Sequence, residues 1–366
     1  MKILYYYSRL NVGGAERSTV RLLNKFVEKG HDVTLLLRWN GGSLESELNP
    51  DIKVIYLKKS KNENGIFTNI IQSFLAYFRQ KQLSKSCYNL AISGLFGYDP
   101  AILFKFVRAE KYCQMLRNDV AKTGAYGKTR EYMQKYGSAF NAYIGVSEYV
   151  TQSFINCYPD LADKAFTIYN ILPDFSPEIK PQRPKTLTAD ENVFKILTLC
   201  RMADEAKGLF RMERVCKRLA QKYSDFKWYV VGSGKDKSKL ADIIRDDGLE
   251  DTMILCPETK TPQEYYYYVD LVAVLSYYEG LCGVVNEAKL MKKPLIATEF
   301  SGIHEQIENG VNGYIVDNDE ESVFCAMDEL LSDRNKVSKT AINGLPQNLA
   351  DNDLKIEKYE QIYKIC

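Results

Sequence analysis

The chain has 366 residues, 45% hydrophobic and 26% charged, with a net charge of +2. That composition is ordinary for a soluble globular protein, and the length favours two domains over one. No run of about 18 apolar residues is present to form a spanning helix, and nine scattered cysteines without a Cys-x-x-Cys pair argue against a zinc cage and for a reducing, cytoplasmic compartment.

The first segment, Met1-Lys-Ile-Leu-Tyr-Tyr-Tyr, is too short in apolar length for a signal peptide. Residues 2–7 read as a strand, and Asn11-Val-Gly13-Gly14-Ala-Glu-Arg17 leads into a helix over 15–29. Paired glycines there let the backbone approach a ligand at a helix N-terminus, although a tight turn also explains them. Strands follow over 33–37, 54–57, 90–92 and 143–146. Residues 66–83 form an amphipathic stretch flanked by Arg79 and Lys81, suited either to the domain's own core or to a bilayer surface.

Prolines 173, 177, 181 and 184 cluster where apolar residues thin out, which reads as a linker. Alternation then restarts: strands over 194–200, 228–231, 253–256, 271–275, 294–298 and 313–316, with helices over 209–223, 237–246, 262–269 and from 284. Repeated strand–helix–strand units imply parallel sheets with right-handed crossovers. The expected architecture is therefore α/β, with two Rossmann-like domains. One spans 1–172, the other 173–351, and a final helix over about 352–366 packs back on the first. Two such domains imply a cleft suited to a reaction between two substrates.

Charge is distributed unevenly. Residues 1–165 hold 23 Lys and Arg against 14 Asp and Glu, a net +9, and the remainder holds 26 against 33, a net −7. A basic half suits an anionic membrane surface or a lipid-phosphate acceptor, or it reflects composition alone.

Three sets of residues carry candidate chemistry. Glu279 follows a buried-type strand and Glu287 lies seven positions beyond Gly280, in the first turn of the next expected helix. Carboxylates at a sheet's carboxyl edge beside helix N–H groups suit the hydroxyls and phosphate of a nucleotide sugar; a loop acid and a helix-dipole acid are the plainer reading. Arg201 and Lys207 leave the strand ending near Cys200. A guanidinium fork and an ammonium suit a diphosphate, or are two solvated cations. Val231-Gly232-Ser-Gly234 follows a strand but lacks the third glycine of a dinucleotide loop.

Taken in order, Gly13-Gly14-Ala-Glu16, Arg201…Lys207-Gly208, Gly232-Ser-Gly234, Glu279-Gly280…Glu287-Ala288 and Lys293-Pro294, then Ser301-Gly302…Glu305 and Asn312-Gly313, resemble glycosyltransferase family 4. The likeness spans nearly the whole chain and is most specific over residues 270–317. It implies the GT-B fold and retaining transfer of a hexose or N-acetylhexosamine from a nucleoside-diphosphate sugar, with UDP the expected nucleotide. The implied acceptor is a saccharide or lipid-linked saccharide of surface polysaccharide assembly, and the implied setting is the inner membrane face. No nucleic acid, metal or other cofactor is expected.

The resemblance assigns Arg201 and Lys207 to the donor diphosphate, Glu279 to the transferred sugar and Glu287 to the ribose. Backbone N–H groups near Cys282 and Gly283 would meet phosphate, Gly13 and Gly14 would close on it, and the base would lie near the loop after Cys256. Many relatives carry a first-domain histidine before Asn-Asp; here the stretch reads Met115-Leu-Arg117-Asn-Asp119. Arg117 stands in its place, and Asp119 is a candidate catalytic or acceptor-positioning acid. His31 matches a structural turn, and His304 is placed to reach the sugar. Two rival readings share the fold: a catalytically silent subunit scaffolding a partner transferase, and a nucleotide-sugar epimerase.

Overall fold

The computed structural model describes residues 1–58, 83, 85–96, 100–122, 126–339 and 344–365. The amphipathic stretch over 66–83 lies outside them except for Leu83. The chain divides into two units, Met1–Leu172 with Asn348–Cys366, and Pro173–Gln347.

Unit 1 holds one parallel sheet of seven strands: β1 (Lys2–Tyr7), β2 (Asp32–Trp39), β3 (Lys53–Lys58), β4 (Cys87–Ser93), β5 (Arg108–Leu116), β6 (Ala142–Gly145) and β7 (Ala165–Thr167). Their order is β3-β2-β1-β4-β5-β6-β7. Ile3 through Tyr7 are all buried, as expected of a central parallel strand covered on both faces. The helix Gly14–Glu28 turns Val20, Leu23 and Phe26 inward. Burying a side chain of that size is worth about 1.5–3 kcal/mol. β5 is absent from the pattern read above, because its first half, Arg-Ala-Glu-Lys, is polar and only its second half is buried.

The helix Asn352–Ile365 belongs to unit 1. Tyr359 meets the Phe26 ring edge-on at 5.2 Å and donates its hydroxyl hydrogen to Met115 Sδ at 3.4 Å. Asn352 accepts from the Leu172 N–H at 2.9 Å and donates to its carbonyl at 3.0 Å. The strand of chain leaving the unit is thereby tied to the one re-entering it. His31 is buried between the Met1 amine at 3.0 Å and Glu360 at 3.1 Å, a structural position.

Unit 2 carries a second parallel sheet: β8 (Phe194–Leu199), β9 (Phe226–Val231), β10 (Met253–Cys256), β11 (Leu271–Val274), β12 (Leu295–Thr298) and β13 (Tyr314–Val316). The order is β10-β9-β8-β11-β12-β13. Lys195 is buried in the apolar run of β8 yet satisfied, donating to the carbonyls of Asp190 at 2.7 Å and Val193 at 2.9 Å. In both sheets the chain order reverses beside the first strand of the unit. That reversal opens a crevice at the strands' carboxyl ends, the usual place for ligands in such folds.

Candidate functional site

In unit 2 the reversal falls between β8 and β11, and the two loops leaving those strands bring the candidate residues together. After β8 the chain runs through Arg201 into the short helix Asp204–Lys207, and Gly208 turns it into the helix Leu209–Ala220. Gly208 has φ +62°, and a Cβ there would lie 2.7 Å from the Leu275 carbonyl oxygen. Only glycine meets both demands. The Tyr277 N–H then donates to the Ala206 carbonyl at 2.8 Å, locking the β8 loop to the β11 loop.

Lys207 forms an ion pair with Glu279, and both side chains are mostly shielded, 19% and 15% exposed. Ser276 donates its hydroxyl to the same Glu279 oxygen at 2.8 Å. Burial opposes the Lys207 charge, but Glu279 outweighs it and holds the ammonium above its ordinary pKa. A small pocket beneath the pair is lined by Cys200, Ser276, Lys207, Glu279 and Cys282 among others. Burial pushes both the Cys200 and Cys282 thiols up to about 12, so these cysteines are walls and not nucleophiles. Arg201 is exposed and makes no side-chain hydrogen bond or ion pair among the described residues.

Two features differ from the sequence reading. The helix after Glu279 runs Gly283–Leu290, so Glu287 lies in its second turn, not its first. Its carboxylate accepts from the Tyr266 hydroxyl at 3.2 Å. The Cys282 N–H is already taken, donating to Gln306 Oε1 at 3.0 Å. Gly283 is exposed, and no side chain would crowd a Cβ on it.

Gly232 and Gly234 turn out to be structural. A Cβ at Gly232 would sit 2.0 Å from the Cys200 carbonyl oxygen, and one at Gly234 2.2 Å from that of Met202. The close approach lets the Met202 N–H donate to Ser233 at 2.8 Å, fixing the Arg201 loop against the end of β9. The Cys256 carbonyl accepts from Lys237 Nζ at 3.3 Å, and Glu258, just beyond, accepts from the Ser233 hydroxyl at 2.6 Å. His304 is exposed and pairs with Glu299 at 2.8 Å.

Sequence reasoning missed the side chains that hold this frame. Gln306, fully buried, donates to the Cys282 carbonyl at 2.8 Å and to Asn286 at 2.7 Å, while Lys289 donates to the Gln306 carbonyl. Arg211 is buried too, and donates to the Leu275 carbonyl at 2.6 Å and to Asn318 at 2.7 Å. Asn318 in turn donates to the carbonyls of Ser276, Tyr277 and Glu299. The available signal was an arginine two positions into the helix, among residues of its buried stripe.

In unit 1, Gly13 caps the helix Gly14–Glu28 with no side-chain bond, and a Cβ on Gly14 would meet nothing within 4 Å. Asp119 is 7% exposed. Its carboxylate accepts from the Ser153 hydroxyl at 2.6 Å, the Tyr149 hydroxyl at 3.0 Å and the Ala121 N–H at 3.0 Å. Burial favours its neutral form, but those donors win and hold the carboxyl below its usual range. An acid so engaged ties the loop after β5 to the helix Glu148–Cys157, and has little basicity left for proton transfer. Arg117, two residues away, points elsewhere. Its guanidinium donates to the Gly94 carbonyl at 3.1 Å, and to the Tyr5 hydroxyl and Thr19 Oγ1 at 2.9 Å each.

Residues 179–345 match the model of the family described as glycosyl transferases group 1. A Staphylococcus aureus poly(ribitol-phosphate) alpha-N-acetylglucosaminyltransferase is 28% identical over 197 residues, 54% of this chain and 38% of the relative. An Erwinia amylovora amylovoran biosynthesis glycosyltransferase, AmsD, is 31% identical over 37% of this chain and 39% of the relative. The matches thus span well under half the length of these curated relatives. Among solved structures, Anabaena Alr3699/HepE in complex with UDP and glucose aligns over 100% of both chains, with a TM-score of 0.79 and 18% identity. Staphylococcus aureus TarM, solved as a mutant in complex with fondaparinux, alpha-GlcNAc-glycerol and UDP, covers 99% of both with a TM-score of 0.78 and 15% identity. The whole chain has the GT-B fold, and the stretch that matches the glycosyl transferases group 1 model lies within its second unit.

Proposed function

We propose that the protein is a retaining glycosyltransferase that moves a hexose or N-acetylhexosamine from a nucleoside-diphosphate sugar to a saccharide or lipid-linked acceptor. The observation that carries this reading is the shielded Lys207–Glu279 pair, with the exposed Arg201 on the same loop as Lys207, at the carboxyl ends of β8 and β11. The Lys207 ammonium and Arg201 guanidinium would bind the diphosphate and stabilise the charge that grows on it as the sugar leaves. Once both cations are on the diphosphate, no further reorganisation is needed as the charge develops, and they fill the role of a metal ion. Glu279 accepts hydrogen bonds from the sugar hydroxyls, and Glu287 from the ribose. The Gly283 N–H, rather than that of Cys282, meets phosphate. Attack on the face the leaving group vacates requires no protein nucleophile, and the departing phosphate takes the acceptor's proton.

The HepE and TarM complexes both contain UDP, which makes it the first nucleotide to test. The relatives that act in amylovoran synthesis or on poly(ribitol-phosphate) favour an acceptor in surface polysaccharide assembly. The basic first half fits a protein working at an anionic membrane face.

Calorimetric titration with UDP, GDP and ADP in EDTA tests the reading. One nucleotide should bind selectively, and binding should be lost in Glu287→Ala and Lys207→Ala. Absence of binding to all three would overturn the donor site and favour the silent-subunit reading.

A further inference from the structure

Arg117 is a cation with an unusual set of partners. It follows β5 and reaches across to Tyr5 on β1, to Gly94 just past β4, and to Thr19 in the helix Gly14–Glu28. It therefore lies over the β1/β4 boundary, where the strand order of unit 1 reverses. All three acceptors are neutral, and among the described residues no carboxylate is within ion-pair distance of it. The neighbouring Tyr7 phenol supplies no negative charge. Burial pushes Tyr7 well above its ordinary pKa, and the Tyr7 hydroxyl donates to Glu16 at 3.3 Å. A shielded cation balanced only by dipoles is costly unless an anion completes the site.

The geometry also leaves an opening. Arginine has five N–H donors. Here Nε uses its one and Nη2 donates twice, while Nη1 makes no hydrogen bond among the described residues. The flat Nε/Nη2 edge that would clasp a carboxylate bidentately is occupied. What remains is one nitrogen with two diverging hydrogens, held rigid by three bonds. A tetrahedral group with several oxygens fits that better than a planar carboxylate. At the N-terminus of the helix Gly14–Glu28 the Glu16 carboxylate lies against Gly13 and accepts from Tyr7, so the positive charge of the site rests on Arg117.

We propose that Arg117 is the cation of a phosphate-binding site on unit 1, and that the phosphoryl group it receives belongs to the acceptor. The assignment to the acceptor rests on the reading above, in which unit 2 holds the donor with its own two cations. The +9 charge of residues 1–165 favours the same class of ligand.

The test uses the full chain with Lys207→Ala, which removes the donor site, and the same chain with Arg117→Gln added. Each is titrated calorimetrically with glycerol phosphate, with glycerol, and with UDP. Glycerol phosphate should bind the Lys207→Ala chain while glycerol does not, and Arg117→Gln should weaken that binding about tenfold, the loss of a charged hydrogen bond. Absence of glycerol phosphate binding, or affinity within about twofold in the two chains, overturns the site. If Arg117→Gln in the otherwise unsubstituted chain instead weakens UDP about tenfold and glycerol phosphate never binds, the acceptor assignment falls. Should Arg117→Gln fail to fold, arginine side-chain ¹⁵N spectra of the Lys207→Ala chain decide. One guanidinium should respond to glycerol phosphate but not to glycerol, and that resonance should move in Tyr5→Phe; no such response overturns the proposal. UDP bound equally with and without Lys207 would sink the donor reading while leaving the phosphate result to stand.

Discussion

The two units place a cation at the same topological position in the same kind of sheet, but balance it in opposite ways. Lys207 in unit 2 is neutralised by Glu279, whereas Arg117 in unit 1 is held by a carbonyl and two hydroxyls. A paired lysine must change partners to take an anion, and its departure frees a carboxylate for sugar hydroxyls. An arginine pinned by dipoles keeps its position, so an added anion meets a preformed charge. The fold supplies the crevice, and the choice of counter-group decides what the crevice does.

Removing Lys207 should break the comparison most forcefully. In Lys207→Ala, transfer from a nucleotide sugar, followed as nucleoside diphosphate release, should fall about 10²–10³-fold. A loss that small variants of the exposed Arg201 reproduce in full would mean that shielding by Glu279 is irrelevant.

Glycines come next, because they differ between the units in the same sense. Gly232→Ala forces a Cβ to 2.0 Å from the Cys200 carbonyl oxygen, and backbone has to move. Its urea midpoint should drop by the equivalent of about 1–3 kcal/mol. Gly14→Ala places its methyl in open space at a helix start, so stability should stay within about 1 kcal/mol. Donor binding should weaken all the same if that space belongs to a ligand. Equal stability losses in the two variants would erase the distinction between a structural and a ligand-facing glycine.

Asp119 gives a pH-dependent comparison with Arg117, its neighbour on the same loop. Asp119→Asn should cost about 1–3 kcal/mol at pH 7, since it weakens three bonds to a shielded carboxylate. The folded carboxyl titrates below its ordinary value. Its contribution is therefore complete above the unfolded value, about 3.9, and is lost as pH falls through the folded one. The gap between variant and parent in urea should begin to shrink below about pH 4; a gap that does not change as the pH is lowered further would show that the carboxylate's charge is not what stabilises the loop.

Much of the scaffold was legible in residue order. β8 and β11 are short apolar runs bounded by turn residues, and the loops that leave them carry Arg201, Lys207 and Glu279 at readable positions. What was not legible depends on contacts between distant residues. The Cys282 N–H is taken by a glutamine 24 positions on, and Arg211 reaches Asn318 across 107. Asp119 reads as a free loop acid until Ser153, 34 positions later, folds against it. Nothing in a one-dimensional pattern tells an acid that accepts three hydrogen bonds from one that accepts none. Gly232 and Gly234 were undecided in sequence for a related reason, since a glycine that admits a neighbouring carbonyl looks the same there as one that admits a phosphate.

The smallest expected effect isolates burial as the variable. Lys235 pairs with Glu205 in the segment that also carries Lys207, but its two side chains are 59% and 60% exposed. The partners and charges match those of Lys207 and Glu279; only the surroundings differ. In water the Coulomb gain is offset by hydration and by the entropy of two long side chains, and salt screens what remains. Lys235→Ala should leave the urea midpoint unchanged at both low and high salt. Lys207→Ala strands the mostly shielded Glu279 beside Ser276 in the lining of a small pocket, so its midpoint should fall and recover little in salt. Equal behaviour of the two variants would show that the Lys207–Glu279 pair is an ordinary surface contact, and the electrostatic contrast between the two units would go with it.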